Sequence, residues 1–427
     1  MTSEFSAASL RSPPGTAGRE GLAPMPLLLI GVVFAIAIAL RQVVPLNTDV
    51  SWLLVIGERM LDGERLFRDI VEINPPMAPF AYLPGVALAR VLGVDPRHVI
   101  DAQLLLLAAA SLFAVSRILR LSPVTAPSRS GAFAVWAAAV VTILPMHVFA
   151  QREHIALLTF LPALAVYALR SNREPLPLWA ILVAGAGAGI TLAFKPFFAV
   201  PVALCILFAA IRSRSWRVLF APENIIAGVI VTMVSLGTYF FYSEYFTITY
   251  PLVRDTYLSW SMPAAVIFLN DATMISAVAL VSVLLARQKS KSDPALLVAM
   301  LASAGFAVSF FLQRRGWAYH SYPMVAVALL AMGYVLTGAG GAESRSRRFA
   351  AASVFVMAAT FAFGMLWFNT TVYVGPIRQA IADLKPNPRI LVLSGEAAIG
   401  HPLVRDVGGV WVSRQENLWL RAFTLVT

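Results

Sequence analysis

Apolar residues fall along this chain in long runs separated by short polar connectors. Runs of roughly 20 residues, enough to cross a ~30 Å hydrocarbon core as a helix, occupy 25–44, 99–119, 131–149, 154–170, 177–194, 197–212, 223–241, 264–286, 294–312, 322–338 and 349–368. The pattern predicts an all-α polytopic membrane protein with about eleven transmembrane helices. A further apolar stretch, 76–94 (PMAPFAYLPGVALARVLGV), contains Pro79, Pro84 and Arg90 and makes a poor continuous span.

The connectors decide how that stretch is read. If 76–94 does not cross, five basic groups fall on one side: Arg117, Arg120 and Arg129; Arg170 and Arg173; Arg212, Arg214 and Arg217; Arg287, Lys289 and Lys291; and Arg345, Arg347 and Arg348. The positive-inside rule makes that side cytoplasmic. Segment 76–94 is then a juxtamembrane or re-entrant helix, capped by Asn74, and Val50 to Asp62 forms a second amphipathic helix lying on the membrane. The implied organisation is a disordered cytoplasmic tail at 1–24, a transmembrane domain at 25–368 with an outer loop at 45–98, and a short periplasmic segment at 369–427. In a bacterial cell this is a multi-pass inner-membrane protein.

Composition agrees with the pattern. The chain is 59% hydrophobic and 13% charged, with a mean hydropathy of +0.76, far from a soluble globule. The net charge of +11 comes from scattered loop residues and not from one basic patch with interleaved aromatics, so no nucleic-acid partner is expected. The single cysteine, Cys205, lies in an apolar run and reads as a core thiol.

On this topology the conspicuous polar residues gather outside. Asp49, in TDVSW, ends the first connector; as an isolated feature it is a helix cap as readily as a functional acid. Glu72 follows in the same loop, and Arg152 and Glu153 occupy a tight turn between apolar runs. Lys195 is a lone cation in AFKPFF, suited to an anion, with lipid phosphate the default one. Arg314 and Arg315 break the positive-inside pattern, which an anionic ligand would explain; Trp317, Tyr319, His320 and Tyr322 follow as belt or sugar-stacking residues. Asp271 is either an intramembrane acid with a role or the mark of a later helix start. There is no phosphate-binding glycine loop, zinc spacing or serine nucleophile elbow. One acid among several cations on the outer face suits a phosphate leaving group on a membrane-borne substrate.

TDVSW after the first span, the spacing to RDIVEINPPMAPFAYLP, and QREHIALL at the head of the fourth span resemble the GT-C glycosyltransferases, as do FKPFF and WAYHSYP. These are polyprenyl-phosphate-sugar enzymes that include the protein O-mannosyltransferases and the lipid A aminoarabinose transferases. The resemblance implies a GT-C-like fold over about residues 25–368 and a sugar transferred, with inversion, to a glycan, lipid or protein acceptor. It implies Asp49 as general base and Glu153 as the second acid, orienting a substrate or holding a divalent cation in members that use one. Arg152, Lys195, Arg314, Arg315, His320, Tyr322 and Glu72 become the substrate contacts, the cations serving the phosphate. The chain departs from the family where no second acid adjoins Asp49 and where Glu153 replaces the commoner Asp, which weakens a metal role. Its outer tail is short, so the acceptor is not readable. The rival reading is a lipid-linked oligosaccharide flippase or transporter, which calls for polar or broken helices near the bilayer midplane.

Overall fold

Within a hydrocarbon layer the backbone finds hydrogen-bond partners only in its own helical ladder, so each apolar run folds as a helix. The computed structural model describes residues 24–122, 130–286, 293–338, 347–382, 387–394 and 396–416. In chain order, α1 (Pro24–Val43) is followed by α2 (Thr48–Leu61), α3 (Met77–Leu92), α4 (Pro96–Leu119), α5 (Gly131–Thr142) and α6 (Arg152–Ser171). Then come α7 (Leu178–Phe194), α8 (Ala199–Arg212), α9 (Pro222–Phe241) and two short helices, α10 (Tyr250–Asp255) and α11 (Ala264–Phe268). The bundle closes with α12 (Asp271–Ala286), α13 (Pro294–Gln313), α14 (Ala318–Gly338) and α15 (Arg347–Phe368). After it lie α16 (Gly375–Ala382), β1 (Arg389–Ile390), α17 (Leu403–Asp406) and β2 (Val410–Trp411).

Among the described helices seven, α1, α4, α6, α9, α13, α14 and α15, are long and apolar enough to cross a membrane. Five shorter apolar helices accompany them: α3, α5, α7, the Pro196–Arg212 helix that contains α8, and α12. Together they coincide with the eleven predicted runs plus the stretch 76–94. Two runs are broken more than hydropathy suggests. The run 131–149 ends as a helix at Thr142; a 3-10 turn at Met146–Val148 follows Pro145. The run 264–286 splits into α11 and α12, and Asn270 accepts from Thr273 N, so Asp271 marks a helix start.

Burial sorts the helices into layers. In α6 and α14, 89% and 83% of the apolar window is buried inside the protein, against 11% in α9. The first two form the core and the last faces lipid. Close approach is provided by glycine: a Cβ on Gly187 of α7 would sit 2.0 Å from the Thr159 carbonyl oxygen of α6, while Gly185 and Gly189 face Ile226 and Ile230 of α9.

The two ends of the bundle differ chemically. At one end, basic connectors are stitched together: Arg170 to Glu223 at 2.8 Å, Arg212 to Asn172 at 3.0 Å, and Arg173 to the Ser213 carbonyl at 2.7 Å. Arg129, Arg287, Lys289, Lys291 and Arg345, on which the topology reading also rests, lie outside the described residues, as does the tail before Pro24. The opposite end carries α2 and α3. There Tyr82, midway along α3, donates to the Ala150 carbonyl at 2.6 Å, and Arg90 near its end pairs with Asp62 at 2.9 Å. Both bonds tie α3 to the end of the bundle that carries α2. Its start differs from the expectation: Asn74 is no cap, because its amide is turned to Glu72 and Pro76 holds the cap position.

The segment after α15 returns over α2 and α3. Arg405 clamps Glu58 through two bonds of 3.0 and 2.8 Å, Arg59 donates to the Ser413 carbonyl at 2.7 Å, and Val71 pairs with Gln415 as a parallel bridge. His401 is wedged between Trp52 and Trp411, with ring centroids 5.4 and 4.6 Å away. Within RILVLSG a strand of only two residues, Arg389–Ile390, pairs in parallel with Val410–Trp411.

Candidate active site

Asp49 is relieved of the capping role by its neighbour. Asn47, not Asp49, is the N-cap of α2: its side chain accepts from Asp49 N at 3.0 Å and also from the Gln151 amide, which ties the start of α2 to the start of α6. Asp49 Oδ2 instead accepts from Arg152 Nη2 at 2.9 Å, and the aspartate side chain keeps 27% exposure while Arg152 keeps 4%. The pair therefore faces open space through its acid. Nε and Nη1 of Arg152 are buried without a partner among the described residues.

One residue further, Glu153 is fully buried. Its Oε1 accepts from Lys195 Nζ at 2.5 Å, while Oε2 has no partner among the described residues. Lys195 reaches this position because Pro196 forces the preceding residue out of helical geometry; φ and ψ of Lys195 are −151° and 133°. From there its ammonium also meets Gln313 Oε1 at 3.3 Å and His320 Nε2 at 3.0 Å. Burial lowers the lysine's affinity for its proton, and Glu153 opposes that shift. The Tyr319 ring stands 5.6 Å from Lys195 Nζ and 6.0 Å from Arg152 Cζ, between the two cations. Asp49, Arg152, Glu153, Lys195, Gln313 and His320 thus come together from α2, α6, the end of α7, α13 and α14. Gln313 was not among the residues singled out by sequence.

Arg314 and Arg315 part company. Arg314 caps α13 in the left-handed region (φ 51°), is exposed, and donates to the Met262 carbonyl at 3.2 Å; it does not reach the cluster, which corrects its assignment as a phosphate contact. That turn, followed by Gly316 at φ 69°, sends Arg315 inward. Its guanidinium lies 4.3 Å from the Tyr257 ring and 5.6 Å from that of Trp260, with Nη1 buried and unpartnered among the described residues. Tyr322 is corrected too. It lies two residues past His320, about 200° around α14, so its hydroxyl donates to the Val140 carbonyl at 3.1 Å inside the core.

Glu72 stands behind the aspartate. Trp52 Nε1 donates to it at 2.8 Å and Asn74 N at 2.7 Å; burial raises its pKa, with Arg152 opposing. Both oxygens are occupied by these donors, so it supports α2 rather than facing open space. Glu416, in the tail, shares the electrostatic neighbourhood of Asp49, Glu72 and Arg152. Nothing in its local sequence signalled this, since only the long-range pairing of 415 with 71 places it. The donor set does not suit a divalent cation: Asp49 is committed to a guanidinium and Glu153 to an ammonium. No group of three or more acids, histidines and cysteines among the described residues is arranged to hold one.

Two cavities are lined by residues outside this cluster. One of about 520 Å³ lies between α2, α3 and the returning tail, bounded by Glu58, Arg90, Arg405 and Trp411. Another of about 540 Å³ is mostly apolar, lined by Met262, Ala265, Val266, Leu269, Gly316 and Trp367 with Asn270 and Asp271 at its polar side.

No protein-family model matches this chain, and no curated protein matches it in sequence. In structure it is similar to ArnT from Cupriavidus metallidurans bound to undecaprenyl phosphate, with a TM-score of 0.57 over 94% of this chain and 88% of that one, at 16% identity. The chain therefore shares the all-α fold of that protein.

Proposed function

We propose that the chain is a membrane glycosyltransferase that takes a sugar from a polyprenyl-phosphate donor and passes it to an acceptor on the outer face of the inner membrane, the bundle end bearing Asp49 facing outward. The observation that carries this is the convergence of Asp49–Arg152 and Glu153–Lys195–His320 from separate helices, in a fold shared with a protein bound to undecaprenyl phosphate. Convergence at one end, not along a path through the bundle, favours transfer over transport.

In this reading an acceptor hydroxyl binds against the exposed carboxylate of Asp49. The aspartate takes its proton as the oxygen attacks the anomeric carbon, and the bond from that carbon to the phosphate oxygen breaks on the opposite side. The electron pair leaves with the polyprenyl phosphate, whose growing charge is met by Lys195 and by the free N–H groups of Arg152 and Arg315. Glu153 holds Lys195 in place, and the apolar cavity beside Gly316 offers the prenyl chain an approach to Arg315. Asp49→Asn tests the assignment. Transfer should fall by roughly 10²- to 10⁴-fold, with undecaprenyl phosphate binding and the folded yield unchanged; full activity would return Asp49 to a structural role.

A further inference from the structure

The returning tail does more than cover α2. Its path is fixed at successive points: Arg405 on Glu58, the Ser413 carbonyl on Arg59, Arg414 on the Asp69 carbonyl, and the Arg414 carbonyl accepting from Val71 N at 2.7 Å. Trp411 Nε1 then donates to the Gln415 carbonyl at 2.9 Å. With Gln415 bridged to Val71, the next residues on the two segments, Glu416 and Glu72, lie side by side. The two carboxylates are treated differently. Glu72 is occupied by Trp52 and Asn74, whereas Glu416 Oε1 is shielded from solvent with no partner among the described residues. The buried Arg152, also with unpartnered N–H groups, is the cation in the same neighbourhood, and its Nη2 is taken by Asp49.

We infer that Glu416 is a positioning residue for the acceptor, hydrogen-bonding its hydroxyl beside Asp49. This rests on the transferase reading above. Burial, together with Asp49 and Glu72, raises the affinity of Glu416 for a proton, with Arg152 opposing; a group so placed gains from a hydroxyl that can give or take a hydrogen bond. The cations Lys195 and Arg315 come from the α7 and α13 side, so the centre is polarised: phosphate on one flank, hydroxyl acceptor on the other.

The test uses the full chain in nanodiscs. The donor is the polyprenyl-linked sugar fraction of the source cells, and the acceptor is the envelope fraction of cells lacking the protein; released polyprenyl phosphate is the readout. Glu416→Ala should raise the apparent KM for the acceptor fraction roughly ten-fold, the loss of one hydrogen bond, with undecaprenyl phosphate affinity within two-fold of the parent. Glu416→Gln, able to give and take hydrogen bonds, should restore most of the acceptor KM. Parental KM in Glu416→Ala, or equal loss of acceptor and undecaprenyl phosphate affinity, overturns the inference. A full-length double variant, Val71→Cys with Gln415→Cys, checks the placement independently, since bridged positions are within disulfide reach; failure to cross-link overturns it as well. Should the parent protein release no polyprenyl phosphate, or Asp49→Asn stay active, the transferase reading fails instead.

Discussion

Lys195→Met separates the structural from the chemical role of the buried pair. In the parent protein Glu153 is fully buried and Lys195 Nζ, at 2.5 Å, is its cationic partner. Methionine keeps the aliphatic stem but leaves a carboxylate in the core with His320 3.7 Å away. Removing one member of a buried pair typically costs about 3–5 kcal/mol, because the remaining charge stays desolvated. Adding Glu153→Gln removes that charge and should recover most of the loss, leaving a net change of about 1 kcal/mol or less, since an uncharged replacement for a buried pair is often near neutral. Thermal or denaturant unfolding in detergent measures the four corners of this cycle, and undecaprenyl phosphate titration measures binding on the same samples. Stability should return in the double variant while phosphate binding stays weak, because the cation is gone in both. A double variant as unstable as Lys195→Met would refute the buried-pair argument, and recovered phosphate binding would refute the role given to Lys195.

Two further outcomes follow from packing and protonation. Gly187→Ala should destabilise the bundle by about 1–3 kcal/mol, the usual cost of overpacking, because its Cβ would press on the Thr159 carbonyl; unchanged unfolding would show that α6 and α7 can part at no cost. Burial holds the His401 pKa at about 3, against an unfolded value near 6.5. Between those values the undocked tail binds more protons than the docked one, so docking is fully supported above about pH 6.5 and weakens as pH falls. The loss reaches about 2 kcal/mol at pH 5. Proteolysis of the tail from pH 8 to 5 reads this directly, and pH-independent protection would contradict it.

The apolar helices were legible because hydropathy is a local property, and each predicted run coincides with one. What hydropathy missed was local geometry. Asn47 outcompetes Asp49 for the cap, Asn270 breaks a run that is apolar on both sides, and two left-handed residues decide that Arg315 and not Arg314 turns inward. Position in a turn predicts proximity but not direction, which is why Tyr322 reads like His320 in sequence and points into the core in space. Acids at 49 and 153 could be found because each adjoins the end of an apolar run. Glu416 adjoins none; its placement is a product of a bridge between Val71 and Gln415, residues 344 positions apart.

The clamp between Glu58 and Arg405 joins residues 347 positions apart. At ribosomal speeds of about 5–20 residues per second, α2 has been made some 20–70 s before its cover exists. A nascent chain must shelter the exposed Val55 and Trp52 face in the interim, and the bilayer surface is the nearest apolar refuge. The cleft of about 520 Å³ under the tail would then be the last part of the molecule to take shape, after the helices of the bundle are in place.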